Sequence, residues 1–263
     1  MSGFSRNIRL LIAYDGTGFS GWQRQGGAGA SPDIPGRGPR TVQGTIEAAL
    51  EKLHKGPVSL LGSGRTDAGV HAAGQVANFR TAIRAMDAER FVPALNSLLP
   101  QDVRILEARE TRPDFHARFD ARSRTYRYQC ICGRAGLPHE LRYALQLWRR
   151  PRLRVLNAYA RQLLGERDCS LFAIPRDPGE SRSRYISAAH FFVQGDTLIF
   201  EVTANAFLWK MVRSMVGTLL YYEEKDLSPD EFKTILESCR RSLAGPTAPP
   251  RGLFLRTVAY YRD

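Results

Sequence analysis

The sequence has few cysteines, no long apolar run and no glycine-rich phosphate loop, and each absence removes a class of protein. Its four cysteines are Cys130, Cys132, Cys169 and Cys239, and no two of them form a Cys-x-x-Cys pair. The five histidines do not complete a zinc-finger spacing with these cysteines. We therefore expect isolated, reduced thiols and no bound metal.

Membrane and secretion signals are also missing. No apolar stretch approaches the length of a membrane span, and residues 1–9 contain no apolar signal core. A Gly-x-x-x-x-Gly-Lys-Ser/Thr motif is absent, which argues against a nucleotide-binding loop of the Walker type. We expect a soluble, cytoplasmic protein that does not bind membranes.

Positive charge is the main feature that the composition does show. The 263 residues include 38 Lys and Arg against 26 Asp and Glu, a net charge of +12. Most of the basic residues are arginines, whose planar guanidinium suits phosphate contact and stacking on bases. Such a protein usually binds a polyanion, although membrane or non-specific contacts and a solvated basic surface are also compatible with this charge.

Hydrophobic periodicity and turn signals predict two successive series of strands and helices. The first series has strands at 7–14, 58–61, 75–79 and 103–107 and helices at 41–55 and 88–99. The second has strands at 125–130, 188–193, 197–203 and 253–260 and helices at 151–164, at 207–222 and from Ser228. The two series predict an α+β fold with halves at 1–112 and 113–263. The Gly- and Pro-rich segment 26–40 is expected to be a loop.

The most informative segment is Gly62-Ser-Gly-Arg-Thr-Asp-Ala-Gly-Val-His-Ala72. Its three glycines allow sharp turns and a close approach to a ligand. Within it Arg65 and Asp67 flank Thr66. An Asp beside an Arg forms a structural ion pair more often than it acts as a nucleophile, so the residues alone leave both roles open for Asp67. For His71 a structural role is favoured.

This loop resembles the catalytic loop of the bacterial tRNA pseudouridine synthase A family. Five further motifs resemble that family in the same order: YDGTGFSGWQRQ at 14–25, TVQGTIE at 41–47, FHARF at 115–119 with YRY at 126–128, NAFLWKMVR at 205–213 and GPTAPPRGL at 245–253. Each motif is short, but six in one order are specific. The chain departs from the family pattern in the longer loop at 26–40, at Arg167 and Cys169, and at Trp209 and Lys210.

The resemblance implies an isomerase that detaches uracil from its ribose and rejoins it through C5, a reaction that requires no cofactor and no metal. The implied substrate is tRNA, modified at positions 38, 39 and 40 of the anticodon stem-loop, and the implied assembly is a homodimer with one tRNA crossing both subunits. The implied fold has two α+β halves forming a central mixed β-sheet flanked by helices, with the active-site cleft between the halves.

The resemblance also assigns catalytic residues. Asp67 matches the catalytic aspartate, which either attacks the base at C6 or the sugar at C1′ or assists deprotonation of the sugar, and the sequence does not choose among these. Arg213 matches the arginine that pairs with this aspartate. Tyr126 matches a tyrosine stacked near the target uracil, whose phenol is also a candidate for removing the C5 proton. Arg65 matches the residue that helps to expose the target base.

The remaining implied residues bind substrate. Leu253 matches an apolar residue that lines the uracil pocket, and His116, Arg118 and Arg122 are expected RNA contacts. The main alternative is an RNA-binding protein without catalysis, such as a tRNA chaperone, because basic residues interleaved with aromatics suit both. The combination of the Arg-Thr-Asp loop with Tyr126 and Arg213 favours the enzyme.

Overall fold

The computed structural model describes residues 6–24, 39–174 and 181–261. These residues group into two compact units, one formed by residues up to 122 together with those from 255 onward, and the other by residues 123–254. Both units contain strands and helices, which confirms the α+β class. The division into halves at 1–112 and 113–263 stays a prediction about domain organisation.

The first unit is built around antiparallel strands. Its strands are β1 (Arg6–Tyr14), β2 (Leu60–Gly62), β3 (His71–Thr81) and β4 (Val103–Thr111), and its helices are α1 (Val42–His54) and α2 (Phe91–Asn96). β1 lies between β3 and β4 and is antiparallel to both, while β2 is antiparallel to β3. Alternate residues of β1 are completely buried, as the two-residue period of a strand requires: Ile8, Leu10 and Ile12.

The second unit adds a parallel pair to its antiparallel strands. Its strands are β5 (Ala121–Cys132), β6 (Leu145–Leu147), β7 (Gly165–Asp168), β8 (Ser183–Gln194) and β9 (Thr197–Ala204), and its helices are α3 (Pro138–Leu141), α4 (Leu153–Gln162), α5 (Met211–Glu224) and α6 (Pro229–Glu237). β9 lies between β5 and β8, with β7 on the outside of β8, and β6 is parallel to β5. The predicted mixed β-sheet flanked by helices is therefore confirmed.

The last strand, β10 (Leu253–Tyr260), is next to β3 in the strand order. A Cβ atom on Gly74 of β3 would lie 2.4 Å from the carbonyl oxygen of Arg256, so glycine is needed at this approach. Among the residues that the structure describes, no helix has the length and apolar character to span a membrane.

Elements with strong local signals are confirmed. Thr41 caps α1 by accepting a hydrogen bond of 3.3 Å from the Gly44 amide, and Ser228 and Glu231 form the predicted capping box of α6. The predicted hairpin joins Gln194 to Thr197, with Gly195 at a φ of 61° in its turn. All but two residues of the predicted 26–40 loop lie outside the described residues.

Other boundaries from the sequence are wrong. The helix predicted at 207–222 begins at Met211, because Lys210 has a φ of 58° and stops the helix from extending towards Phe207. The helix predicted at 88–99 is a short 3-10 turn followed by α2, which ends at Asn96. The Asn96 side chain bonds both backbone groups of Ile105, at 2.8 and 2.9 Å. Strands β6 and β7 and helix α3 were not predicted.

Helix α5 and the segment 245–249 approach each other at backbone distance. A Cβ atom on Gly217 would lie 1.8 Å from the carbonyl oxygen of Pro246. The Gly245 amide donates to Thr218 Oγ1 over 3.0 Å, one residue along each segment from that contact. Residue 217 must therefore be glycine for this segment to lie against the helix.

The substitution Gly217→Ala is expected to lower the free energy of unfolding by about 1–3 kcal/mol, because the added methyl group forces backbone apart in a filled region. Urea denaturation measures this loss. Gly56→Ala is the matched control, since a Cβ atom there meets no atom within 4 Å. Equal denaturation midpoints for the two variants would contradict the assigned approach.

Candidate active site

The loop between β2 and β3, residues 63–70, carries the predicted catalytic aspartate, and its first residues are fixed to β3. The Ser63 amide donates to the Val76 carbonyl over 2.8 Å, and Ser63 Oγ lies 2.6 Å from Gln75 Oε1. Gln75 Nε2 donates to the Gly64 carbonyl over 2.9 Å. Ser63 and Gln75 are both buried, so these bonds are shielded from competition with water.

The middle of the loop is fixed by the segment that follows β1. The Trp22 amide donates to the Thr66 carbonyl over 3.0 Å, and the Gly69 amide donates to the Phe19 carbonyl over 3.3 Å. The hydroxyls of Tyr14 and Thr66 are 2.8 Å apart and buried. Residues 14–24 therefore support the loop at 63–70.

Glycines in this support allow the two backbones to approach. Gly21 has a φ of 96°, and a Cβ atom on it would lie 2.7 Å from the Thr66 carbonyl oxygen. At Gly16 the Cβ atom would lie 2.0 Å from the Val70 carbonyl oxygen. Larger residues at these positions would push the loop away from its support.

Anchoring of Thr66 leaves its two neighbours at the surface. Thr66 is buried, whereas Arg65 is exposed and Asp67 is half-buried. The structure therefore presents a guanidinium and a carboxylate on either side of a fixed residue. Asp67 therefore directly follows a residue whose carbonyl and hydroxyl groups are both hydrogen-bonded.

His71 has a structural position at the end of the loop. It is completely buried, and its Nδ1 accepts a hydrogen bond of 3.0 Å from the Gly16 amide. Asp15 Oδ1 lies 3.1 Å from the same Nδ1 and accepts from the Thr17 amide over 3.0 Å.

Tyr126 lies on β5 of the second unit, where it is 8% exposed and pairs with Val202 of β9. The Phe207 ring meets the Tyr126 ring edge-on, with centroids 5.0 Å apart and an interplanar angle of 84°. This contact fixes the plane of the tyrosine ring. A ring held in this way is suited to serve as a stacking platform.

Arg213 lies on α5 and is tied to the motif at 245–253 by two hydrogen bonds. Its Nε donates to the Ala248 carbonyl over 2.8 Å, and the Ala248 amide donates to the Arg213 carbonyl over 3.1 Å. The guanidinium is half-buried. The close approach of Gly217 to Pro246 holds this motif in place, so the same packing that requires glycine also orients Arg213.

Leu253, the predicted uracil-pocket residue, is 5% exposed at the start of β10. The residue before it, Gly252, faces Tyr128, whose ring carbon would be 2.8 Å from an added Cβ atom. Tyr128 donates its phenol proton to the Pro249 carbonyl over 2.9 Å, and burial raises the pKa of this phenol. Tyr128 is therefore a neutral hydrogen-bond donor that fixes the C-terminal motif.

His116 and Arg118 lie on a tight turn between β4 and β5. The His116 amide donates to Asp120 Oδ2 over 2.9 Å, and the Arg118 amide donates to His116 Nδ1 over 3.1 Å. The His116 amide and then the Arg112 guanidinium hold the pKa of Asp120 below its ordinary value. Phe119 is 75% exposed on this turn, with its ring centroid 4.3 Å from that of His116.

The predicted residues fall into both units. Arg65, Asp67, His116 and Arg118 belong to the first, and Tyr126, Arg213 and Leu253 belong to the second. The pairing of Asp67 with Arg213 stays a prediction. The sequence did not predict the residues that hold these side chains in place: Tyr14, Thr66, Tyr128, Phe207 and Ala248. The signal that could have identified them was their position within the matched motifs.

Within the described part of the chain, no group of three His, Cys, Asp or Glu side chains is arranged to hold a metal ion. All four cysteines are free thiols. Burial raises the pKa of Cys130 and Cys169, so these thiols are poor nucleophiles at neutral pH.

The sequence profile of a protein family described as tRNA pseudouridine synthase matches residues 10–120 and 159–261. The chain belongs to this family. The matched regions include the fixed loop at 63–70, its support at 14–24, helix α5 and the C-terminal motif. The family expected from the sequence is therefore confirmed.

Individual relatives agree with the profile over nearly their whole length. The tRNA pseudouridine synthase A of Treponema denticola is 53% identical over 98% of this chain and 94% of its own. The enzyme of the same name from an Exiguobacterium species is 37% identical over 97% of this chain and 98% of its own. One chain in the crystal structure of a Cbf5-Nop10-Gar1 complex is 11% identical to this chain, and the match covers 80% of this chain and 53% of the other. Its TM-score of 0.32 is too low to support the assignment further.

The buried hydroxyl pair of Tyr14 and Thr66 is expected to show energetic coupling. Tyr14→Phe and Thr66→Val should each cost about 1–3 kcal/mol, because each removes a partner of the other buried hydroxyl, and the double variant should cost clearly less than their sum. Urea denaturation of the wild type and three variants measures the coupling.

The matched control is the pair of Thr125 and Thr203, whose hydroxyls are also 2.8 Å apart but half-buried. Water can replace a lost partner there, so the corresponding Thr→Val cycle should give a smaller coupling. Additive losses at Tyr14 and Thr66 would show that their contact does not hold the loop.

Proposed function

We propose that this protein converts uridine to pseudouridine at positions 38, 39 and 40 of the anticodon stem-loop of tRNA, with Asp67 as the catalytic carboxylate. The observation that carries the proposal is the fixed loop at 63–70, which presents Asp67 beside the buried Thr66 in a chain of the tRNA pseudouridine synthase family. We further propose that the protein acts in the cytoplasm as a homodimer with one tRNA crossing both subunits.

The chemistry of this isomerisation suits a carboxylate. The bond from N1 of uracil to C1′ of ribose breaks, a bond from C5 to C1′ forms, and the C5 proton is removed while N1 gains a proton. Bonds and electrons balance within the nucleotide, so neither an oxidant nor an energy source is required. A carboxylate, ionised at neutral pH, acts here either as a nucleophile or as a base.

Three other residues have proposed roles around this step. Arg213, whose guanidinium Nε is bonded to the Ala248 carbonyl, pairs with Asp67 and keeps its carboxylate charged and oriented. Tyr126, fixed edge-on by Phe207, stacks on the target uracil and helps to remove the C5 proton. Leu253 lines the uracil pocket.

Exposure of the target base is the proposed role of Arg65. A base inside a folded RNA arm must leave its stack before it can react. Arg65 is exposed and separated from Asp67 by one anchored residue. Its guanidinium can therefore occupy the space that the displaced base leaves in the stack, or bind a nearby phosphate. His116, Arg118 and Arg122 are proposed to contact RNA elsewhere, with the net charge of +12 supplying the general attraction.

Asp67→Asn is expected to abolish pseudouridine formation while tRNA binding and unfolding remain close to wild type, because the amide keeps the shape of the side chain and removes its charge. The measurement is pseudouridine mapping on unmodified tRNA without added cofactor, together with tRNA affinity. Asp230→Asn, an exposed position on α6, is the control for loss of one negative charge.

The same experiment separates the enzyme from an RNA-binding protein without catalysis. Product from the wild type and from Asp230→Asn, with none from Asp67→Asn, supports the enzyme. Tight binding of tRNA by the wild type without product on any tRNA would instead favour the chaperone. Substantial turnover by Asp67→Asn would move the catalytic role to another residue.

Tyr126→Phe removes one oxygen and keeps the ring, so it separates stacking from proton transfer. We expect a strong loss of product, slow release of tritium from 5-tritiated uridine in tRNA, and little change in tRNA affinity. Tyr185→Phe is the control, since Tyr185 is 54% exposed on β8 and loses the same oxygen. Full activity of Tyr126→Phe would reduce the tyrosine to a stacking platform.

A further inference from the structure

Trp209 and Lys210 form an aromatic and cationic pair immediately before α5, in which Trp209 is exposed and Lys210 is half-buried. Trp209 is 43% exposed, and the Lys210 ammonium lies 4.9 Å from the centre of the indole ring. This separation is within the range of a cation–π contact. An indole face and an ammonium group are together the groups that hold a nucleobase and a phosphate in single-stranded RNA.

The segment that carries this pair is fixed on both sides. Leu208 and Met211, which flank the pair, are 5% and 1% exposed. The Met211 amide donates to the Leu208 carbonyl over 3.1 Å, and the Leu208 amide lies 3.4 Å from Met211 Sδ. Because the backbone is already ordered, binding at this pair carries little additional conformational cost.

Lys210 has a backbone conformation that is unfavourable for a lysine. Its φ of 58° and ψ of 10° are left-handed, a region that glycine and asparagine occupy more readily than other residues. The positive charge also lies next to the N-terminal end of α5, where the helix dipole disfavours a cation. A negatively charged partner at this position would offset the second cost.

The pair is connected to the proposed uracil site within the second unit. Phe207, two residues before Trp209, is the ring that meets Tyr126 edge-on. Since residues 207–211 are one ordered stretch of backbone, a nucleotide on Trp209 would be held in a fixed position relative to the Tyr126 platform. A nucleic acid strand is the ligand that could contact both the Trp209–Lys210 pair and the Tyr126 ring.

We infer that Trp209 stacks on a nucleobase of the bound tRNA, outside the target uridine, while Lys210 binds a phosphate of the same strand. The inference rests on the proposed function, since it takes tRNA as the substrate. It assigns to the start of α5 a role in holding RNA and no part in the chemical step. Substitutions here should therefore change tRNA affinity and KM far more than turnover at saturating tRNA.

The test uses the full chain and a second lysine–aromatic pair as an internal control. At the other end of α5 the Lys225 ammonium lies 5.8 Å from the ring centre of Tyr221, which is 37% exposed. Trp209→Ala should weaken tRNA binding about 5- to 100-fold, the range expected for loss of one stacked base. Trp209→Phe should retain most of the affinity, and Tyr221→Ala should leave it unchanged.

Lys210→Gly separates binding from stability. Glycine suits the left-handed backbone, so the Tm of this variant should not fall. The slope of log affinity against log salt should become shallower by about 0.7–0.9, because one phosphate contact is lost. Lys225→Gly should leave that slope as it is in the wild type.

Outcomes for this pair and for the proposed function can be told apart. Wild-type pseudouridine formation, with tRNA affinity and salt slope unchanged in Trp209→Ala and Lys210→Gly, overturns the inference alone. Equal losses in the Trp209 and Tyr221 variants also overturn it, since any exposed aromatic residue would then serve. Absence of product from the wild type overturns the proposed function, while selective loss of tRNA affinity at Trp209 and Lys210 would still support the RNA-binding pair.

Discussion

The hydrogen bonds at Thr66 are the interactions on which the candidate site depends. Its carbonyl and its hydroxyl are both held, by the Trp22 amide and by the Tyr14 phenol. The middle residue of Arg-Thr-Asp is thus fixed at two points, between an exposed Arg65 and a half-buried Asp67. Residues 14–24, which include no proposed catalytic residue, have this supporting role.

In the second unit, a different contact holds a proposed functional side chain in place. Arg213 is oriented by the Ala248 carbonyl, and the segment that contains Ala248 lies against α5 only because position 217 has no side chain. In both units a proposed functional side chain sits beside a backbone approach that requires glycine. On the proposed function, support of this kind lowers the cost of ordering the reacting groups during catalysis.

The sequence predicts these elements where the signal is local. The Thr41 cap and the Gly195 turn lie within a few residues of the elements that they define, and both are found. The start of α5 is mispredicted because Phe207 and Leu208 continue its apolar pattern, whereas the left-handed backbone of Lys210 leaves no such pattern. The contact of Tyr14 with Thr66 spans 52 positions, so only the fold reveals it. The family resemblance predicted a catalytic role for Asp67 but did not indicate which residues hold its loop.

The proposed function requires the RNA to change its conformation. On the proposed function, the target uridine must leave its stack, and unstacking costs about a few kcal/mol. Binding energy from contacts away from the reacting base must offset that cost. The excess of 38 basic over 26 acidic residues, distributed far beyond the 63–70 loop, is suited to supply it through phosphate contacts. Charge and catalysis are then linked, because attraction of the tRNA backbone drives exposure of the base.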